Sequence, residues 1–223
     1  DPPYIEVFKS SNNPNNPFNK GDKVKLKGHY CQYVINNKEK LEVVNAKNEK
    51  DWQNAAEIKN GLISYIGYPL KWPDNEVFGT LCSHDNKERS FNKKIHKNMQ
   101  QAQELIESHL KIIYQNKILK QNKNRYKKLF ELSPTGLLLQ DNKGNIIEVN
   151  EALTKMTGYS KEELEGNNIF DLLVPADEHE LARKNISKIL SGENLELETK
   201  TYTKDGKLFY VKLQESIIEL AIG

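Results

Sequence analysis

The residues best suited to chemistry are few: the thiols of Cys31 and Cys82, the imidazoles of His84 and His179, and a group of tyrosines that includes Tyr30, Tyr33, Tyr65 and Tyr68. Two cysteines do not make a disulfide framework, and neither has a second cysteine at metal-ligand spacing, so both are expected to be buried small side chains. A nucleophilic thiol would need surroundings that favour the thiolate, whereas Cys82 ends the apolar run 77–82, which reads as buried strand. His84 stands alone in a loop, where an imidazole is expected to be solvated. His179 lies in Asp-Glu-His-Glu at a helix start, a place that favours carboxylates and water over a buried porphyrin. No nucleotide-binding glycine motif, P-loop or phospho-accepting histidine box occurs. The residues in hand therefore predict a chain that is not itself an enzyme and holds no metal.

The element that organises the chain is 91–132, which contains neither Pro nor Gly. Leu105, Ile112, Leu119 and Tyr126 recur every seven residues, and Met99, Ile106 and Ile113 form a second row beside them. That spacing predicts one long helix with an apolar seam, about 60 Å long at 1.5 Å per residue, and a seam of this length needs a partner helix. A second copy of the chain is the expected partner, with these seven residues as the interface. His109, Asn116 and Lys123 fall on the seam and would weaken it while fixing its register. Between residues 91 and 130, ten Lys or Arg face only Glu104 and Glu107, a net charge of +8. The basic block comes late in the heptads, unlike that of a leucine-zipper reader of DNA, so a solvated face is expected and no nucleic acid.

Before the helix, 3–9 alternates as a strand and is followed by an Asn/Pro/Ser loop. Tyr30, Tyr33 and Val34 stand at helical spacing, 41–44 is a short strand, and a helix-like polar stretch surrounds Trp52. The runs 62–70 and 77–82, joined by a turn containing Pro73, predict a hairpin at the centre of a sheet. HYCQYVI followed by ISYIGYPLKWPDNEVFGTLCSHDNKERSFN resembles the second half of a GAF domain of the bacterial and archaeal sensor type. The resemblance covers about ninety residues and implies a six-stranded antiparallel sheet with helices behind it. It also implies a small-molecule pocket or dimer surface, flanked by Tyr30, Tyr33, Tyr65, Tyr68, Cys82 and His84. The family's first helix and strands have no counterpart here. Some relatives of this kind reduce methionine sulfoxide with cysteines, so a Cys31–Cys82 reductase is the enzymatic alternative, and a pure dimerisation scaffold is the other.

After the helix, 136–140 and 146–150 form a hairpin around Gly144, and Asn150 is positioned to cap a helix ended by Gly158. Ser160 with Glu163 makes a capping box, Pro175 fits the first turn of a third helix, and 195–203 with 208–220 form a last hairpin around Lys204-Asp205-Gly206. This order, with TGLLLQDNKGNIIEVNEALTKMTGYSKEELEG at its start and NNIFDLLVPADE in its middle, resembles a PAS domain. The resemblance covers about ninety-five residues and implies a pocket reached by Asn150, Met156, Ile169, Ile186 and Tyr210. A last central strand is missing from the family pattern. A flavin adduct would require a cysteine, which 133–223 lacks, and haem an axial histidine, which only His179 offers. The expected ligand is an unidentified, uncoloured small molecule, or none.

The chain of 223 residues is 37% hydrophobic with a net charge of +2 and has no apolar run long enough to span a bilayer. The expectations are an α+β fold with a partial GAF-like domain at 1–90, a linker helix or coiled coil at 91–132 and a PAS-like domain at 133–223. Together they imply the cytoplasmic input region of a signal-transduction protein, with the output domain in cis, a histidine kinase or a cyclic-dinucleotide synthase. The start at Asp1 suggests a fragment.

Overall fold

The structure is a computed structural model that describes residues 4–13 and 16–218. Pro3 of the first expected strand, and Glu219 and Leu220 of the last, lie outside the described residues. The fold is α+β, and the chain divides into two compact units, 1–120 and 121–223. Among the described residues no helix is long and apolar enough to cross a membrane.

In the first unit β1 (Tyr4–Glu6) pairs with β2 (Lys23–Lys25), and β3 (Leu41–Val43), β4 (Ser64–Lys71) and β5 (Val77–Asp85) form an antiparallel sheet with β4 in the middle. The implied six-stranded sheet is therefore not formed among the described residues, where three strands stand apart from a two-stranded ribbon. The helix expected near Trp52 is also absent. Polar side chains there hold the backbone in turns: Glu49 accepts from the Val44 and Asn45 amides, and only a 3₁₀ turn, Ala56–Asn60, follows.

Strand β4 is buried on both faces. Tyr65 joins the core made with α1 (Tyr30–Asn37), whereas Ile66 and Tyr68 pack with Phe91, Ile95 and Met99. The long helix α2 runs over Lys93–Glu131, and the Asn92 side chain accepts from the Ile95 amide at its start. Strand β3 covers only 65–67 of β4, which leaves the rest of that edge open. Helix α2 closes it, because Gln103 donates to the Pro69 carbonyl at 2.7 Å and Glu107 accepts from the Lys71 amide at 2.9 Å. Met99 is thus committed to this unit's own core and does not belong to a free seam. Leu105, Ile112 and Leu119 stay 61%, 55% and 67% exposed.

The second unit has the hairpins β6 (Leu138–Gln140) with β7 (Ile146–Val149) and β8 (Leu195–Tyr202) with β9 (Leu208–Glu215), each a separate two-stranded sheet. Between them lie α3 (Glu151–Thr157), α4 (Lys161–Leu164), α5 (Ile169–Leu172) and α6 (His179–Leu190). The expected caps form: Asn150 accepts from the Leu153 amide, Ser160 and Glu163 make the box, and Gly158 ends α3 at φ +78°. Two details differ from expectation. Asn168 caps an unanticipated turn, α5, and a 3₁₀ turn at Ala176–Glu178 follows Pro175, so that α6 starts only at His179.

Candidate functional site

Strand geometry assembles a polar centre in the first unit. Thr80, Cys82 and His84 alternate onto one face of β5, opposite Pro69, Gly67 and Tyr65 of β4, and α1 lays Tyr30 and Cys31 into the same core. The Tyr30 and Tyr65 rings are 4.9 Å apart, Tyr65 and His84 5.0 Å, and Tyr30 and Trp52 5.5 Å. Gly67 makes this possible: a Cβ there would lie 1.9 Å from the Tyr65 hydroxyl, which folds back over its own strand.

Glu57 enters from the 3₁₀ turn and is only 1% exposed. Its Oε1 accepts from the Tyr30 amide and lies 3.0 Å from His29 Nδ1, so one carboxylate meets the N-terminus of α1 and an imidazole together. The hydrogen bond to Glu57 raises the His29 pKa above its ordinary value. Three buried polar atoms of this cluster have no partner: Glu57 Oε2, the Tyr30 hydroxyl and His84 Nε2. Unpaired buried polar atoms are costly, so a group that pairs with them, water or ligand, is favoured here. Burial pushes His84 down to about 4 and Tyr30 up to about 12, so both are neutral near pH 7. A groove of about 380 Å³ is lined by His29, Gln32, Tyr33, Asp51 and Trp52 among others.

The same core brings the two thiols together. Thr80 Oγ1 donates to Cys31 Sγ at 3.2 Å, and the Tyr65 hydroxyl is 3.5 Å from that sulfur. Hydrogen bonding from Cys82 pulls the Cys31 thiol down to about 7, and its counterpart Cys82 is pushed up. The sequence denied these cysteines surroundings that favour a thiolate; tertiary contact supplies them at Cys31.

The sequence-based candidates therefore divide. Tyr30, Tyr65, Cys82 and His84 meet in the cluster, and His84 is on a strand in this core, not in a solvated loop. Tyr33 is at its rim, its hydroxyl donating to Glu39. Tyr68 is on the other face of β4, hydrogen-bonded to His96, which pairs with Glu42. Glu57, His29 and Thr80 were missed. Thr80 was legible as the neighbour two residues from Cys82 on an alternating strand, whereas Glu57 carried no local signal.

In the second unit the implied pocket does not assemble as expected. Asn150 is fully buried, but its side chain is committed: Oδ1 accepts from the Leu137 and Leu153 amides, and Nδ2 donates to the Phe130 and Thr135 carbonyls. With its donors and acceptor used, it offers nothing to a ligand. Ile169 is core, Ile186 packs beside it, Met156 lies on an open groove with Lys204, and Tyr210 is 74% exposed on β9. His179 is neither solvated nor free, because Nε2 lies 3.0 Å from the Val174 carbonyl and the ring stands edge-on to Phe170. Among the described residues no three His, Cys, Asp or Glu side chains gather as a metal site.

The PAS domain family matches residues 134–219. This stretch is therefore a PAS domain. The chain is 26% identical over 111 residues to the probable diguanylate cyclase DgcE of Escherichia coli K12, a match spanning 49% of this chain and 10% of that relative. Among solved structures, a domain of a sensory box sensor histidine kinase/response regulator from Geobacter sulfurreducens is 26% identical, covering 45% of this chain and 87% of that one, with a TM-score of 0.41. The E. coli DhaR(N)–DhaL complex is 14% identical over 91% of this chain and 65% of that one, with a TM-score of 0.50, a likeness of fold alone.

Proposed function

We infer that this chain is the sensory input region of a signal-transduction protein, a GAF-like unit followed by the PAS domain, controlling an output domain in cis. Histidine kinase and cyclic-dinucleotide synthase are the proposed outputs, and the cytoplasm the proposed location. The observation that carries this reading is α2. Its first turns complete the sheet of the first unit through Gln103 and Glu107, and its last turns are held by Asn150 through the Phe130 carbonyl and by the Lys161–Glu131 pair. A helix built into both units couples them in a way that a flexible linker would not.

Two parts of the reading are independent. The exposed seam through Leu105, Ile106, Ile112, Ile113 and Leu119 pairs with a second copy of the chain. Tyr126, expected on that seam, is engaged within its own unit by Phe130 and Glu148 and adds less. The sensed molecule sits against Glu57, Tyr30 and His84 in the first unit. It is small and held by hydrogen bonds to the unpaired Glu57 Oε2, Tyr30 hydroxyl and His84 Nε2. Native mass spectrometry of freshly purified protein tests both: a dimer carrying a bound small molecule is expected, and a ligand-free monomer would leave the reading without support.

A further inference from the structure

We propose that Cys31 and Cys82 are a redox-modification site, closing into a reversible disulfide between α1 and β5 when the protein meets hydrogen peroxide. The geometry carries this. Cys82 shares a strand face with Thr80, two residues away, and Thr80 donates directly to Cys31 Sγ. Both cysteines belong to one core and neither is bonded elsewhere, Cys31 buried and Cys82 half-buried. The Thr80 and Tyr65 hydroxyls at Cys31 stabilise negative charge on its sulfur, and the hydrogen bond from Cys82 acts in the same sense, so Cys31 is the thiolate nucleophile.

The chemistry balances with peroxide as the oxidant. Cys31 thiolate attacks one peroxide oxygen, an S–O bond forms, the O–O bond breaks, and hydroxide leaves to become water on taking a proton. The product is a sulfenic acid at Cys31. Cys82 then gives up its proton as its sulfur attacks the Cys31 sulfur. The S–S bond forms, the S–O bond breaks, and the departing hydroxide takes that proton as a second water. Two thiols are oxidised by two electrons and one peroxide is reduced to two waters. A thiol reductant reverses the change by exchange. The consequence is structural: a covalent link from α1 to β5 would tie the element carrying the Tyr30 ring to the one carrying the His84 ring, both of which contact Tyr65.

The chain has two cysteines, so any intramolecular disulfide must be this one. The test treats the full chain with hydrogen peroxide and measures intact mass and free thiols. A loss of about 2 Da, loss of both titratable thiols and a Cys31–Cys82 linked peptide are expected, all reversed by dithiothreitol. The native chain should close the link at least about tenfold faster than the same chain in urea, because folding places both cysteines in one core, with Thr80 beside both. In Cys82→Ser, dimedone should trap a sulfenic acid at Cys31. Retention of both thiols, over-oxidation without a link, a disulfide only between chains, or equal rates in native and urea-unfolded protein would overturn the proposal.

Discussion

Gly67 and His84 show how single residues set the polar centre of the first unit. The Tyr65 hydroxyl occupies the space that any side chain at position 67 would need, so Gly67→Ala forces the ring away from Cys31. We expect a loss of about 1–3 kcal/mol in urea unfolding, as for other overpacked cores; an unchanged midpoint would mean that the ring moves without cost. His84 makes stability depend on pH. Its folded value of about 4 lies below the ordinary 6.5, so between these values the folded chain binds fewer protons than the unfolded one. The contribution is full above about pH 6.5 and is lost as pH falls toward 4, by about 1–3 kcal/mol. His29 runs the other way. Its raised pKa gives a contribution present below about pH 6.5 that fades as pH rises through the folded value. Proton NMR titration separates the two, and a His84 that titrates near 6.5 would refute its burial in the neutral form.

At the scale of elements, α2 and the Asn150 node are the decisive pieces. Ile112 and Leu119 are exposed within one chain, so Ile112→Asp with Leu119→Asp should leave the fold intact and act on pairing alone. Burying these carboxylates against each other in a dimer costs several kcal/mol, on the order of a hundredfold or larger weakening of the dimer. Light scattering should show the mass halving while circular dichroism is unchanged. An unmutated chain already monomeric at tens of micromolar would remove the seam's role. Asn150→Ala acts differently. It strands the Leu137 and Leu153 amides and two carbonyls in a buried site, an expected loss of about 3 kcal/mol, and hydrogen exchange across α3 and the end of α2 should accelerate together. Exchange that rises in α3 alone would mean that the helix end is held by other contacts, such as Lys161 with Glu131.

For the molecule as a whole, coupling through α2 requires the helix to persist across the boundary between its units. Hydrogen exchange should find protected amides from Ala102 to Leu119 and onward across the boundary at Lys120 and Gln121; rapid exchange at that boundary would rule out a rigid coupler. The local grammar of the PAS domain was readable in the chain because it is written in neighbours: Asn150 three residues before the amide it caps, Ser160 with Glu163, and Gly144, Gly158 and Gly206 at positive φ. The long helix was likewise legible in its seven-residue spacing and its freedom from Pro and Gly. What residue order could not reveal was the partnership of distant groups. Whether Asn150 serves a ligand or the backbone depends on carbonyls at 130 and 135, and whether Tyr68 joins Tyr65 depends on which helix covers each face of β4. Glu57 becomes important only because the start of α1 and His29 come to it from nearly thirty residues away, and the Cys31 thiol is tuned by Thr80 and Cys82 on a strand that local pattern cannot connect to its helix. Capping and periodicity are short-range and survive in one dimension; desolvation and hydrogen-bond partnership are properties of enclosed space, and only the folded chain encloses any.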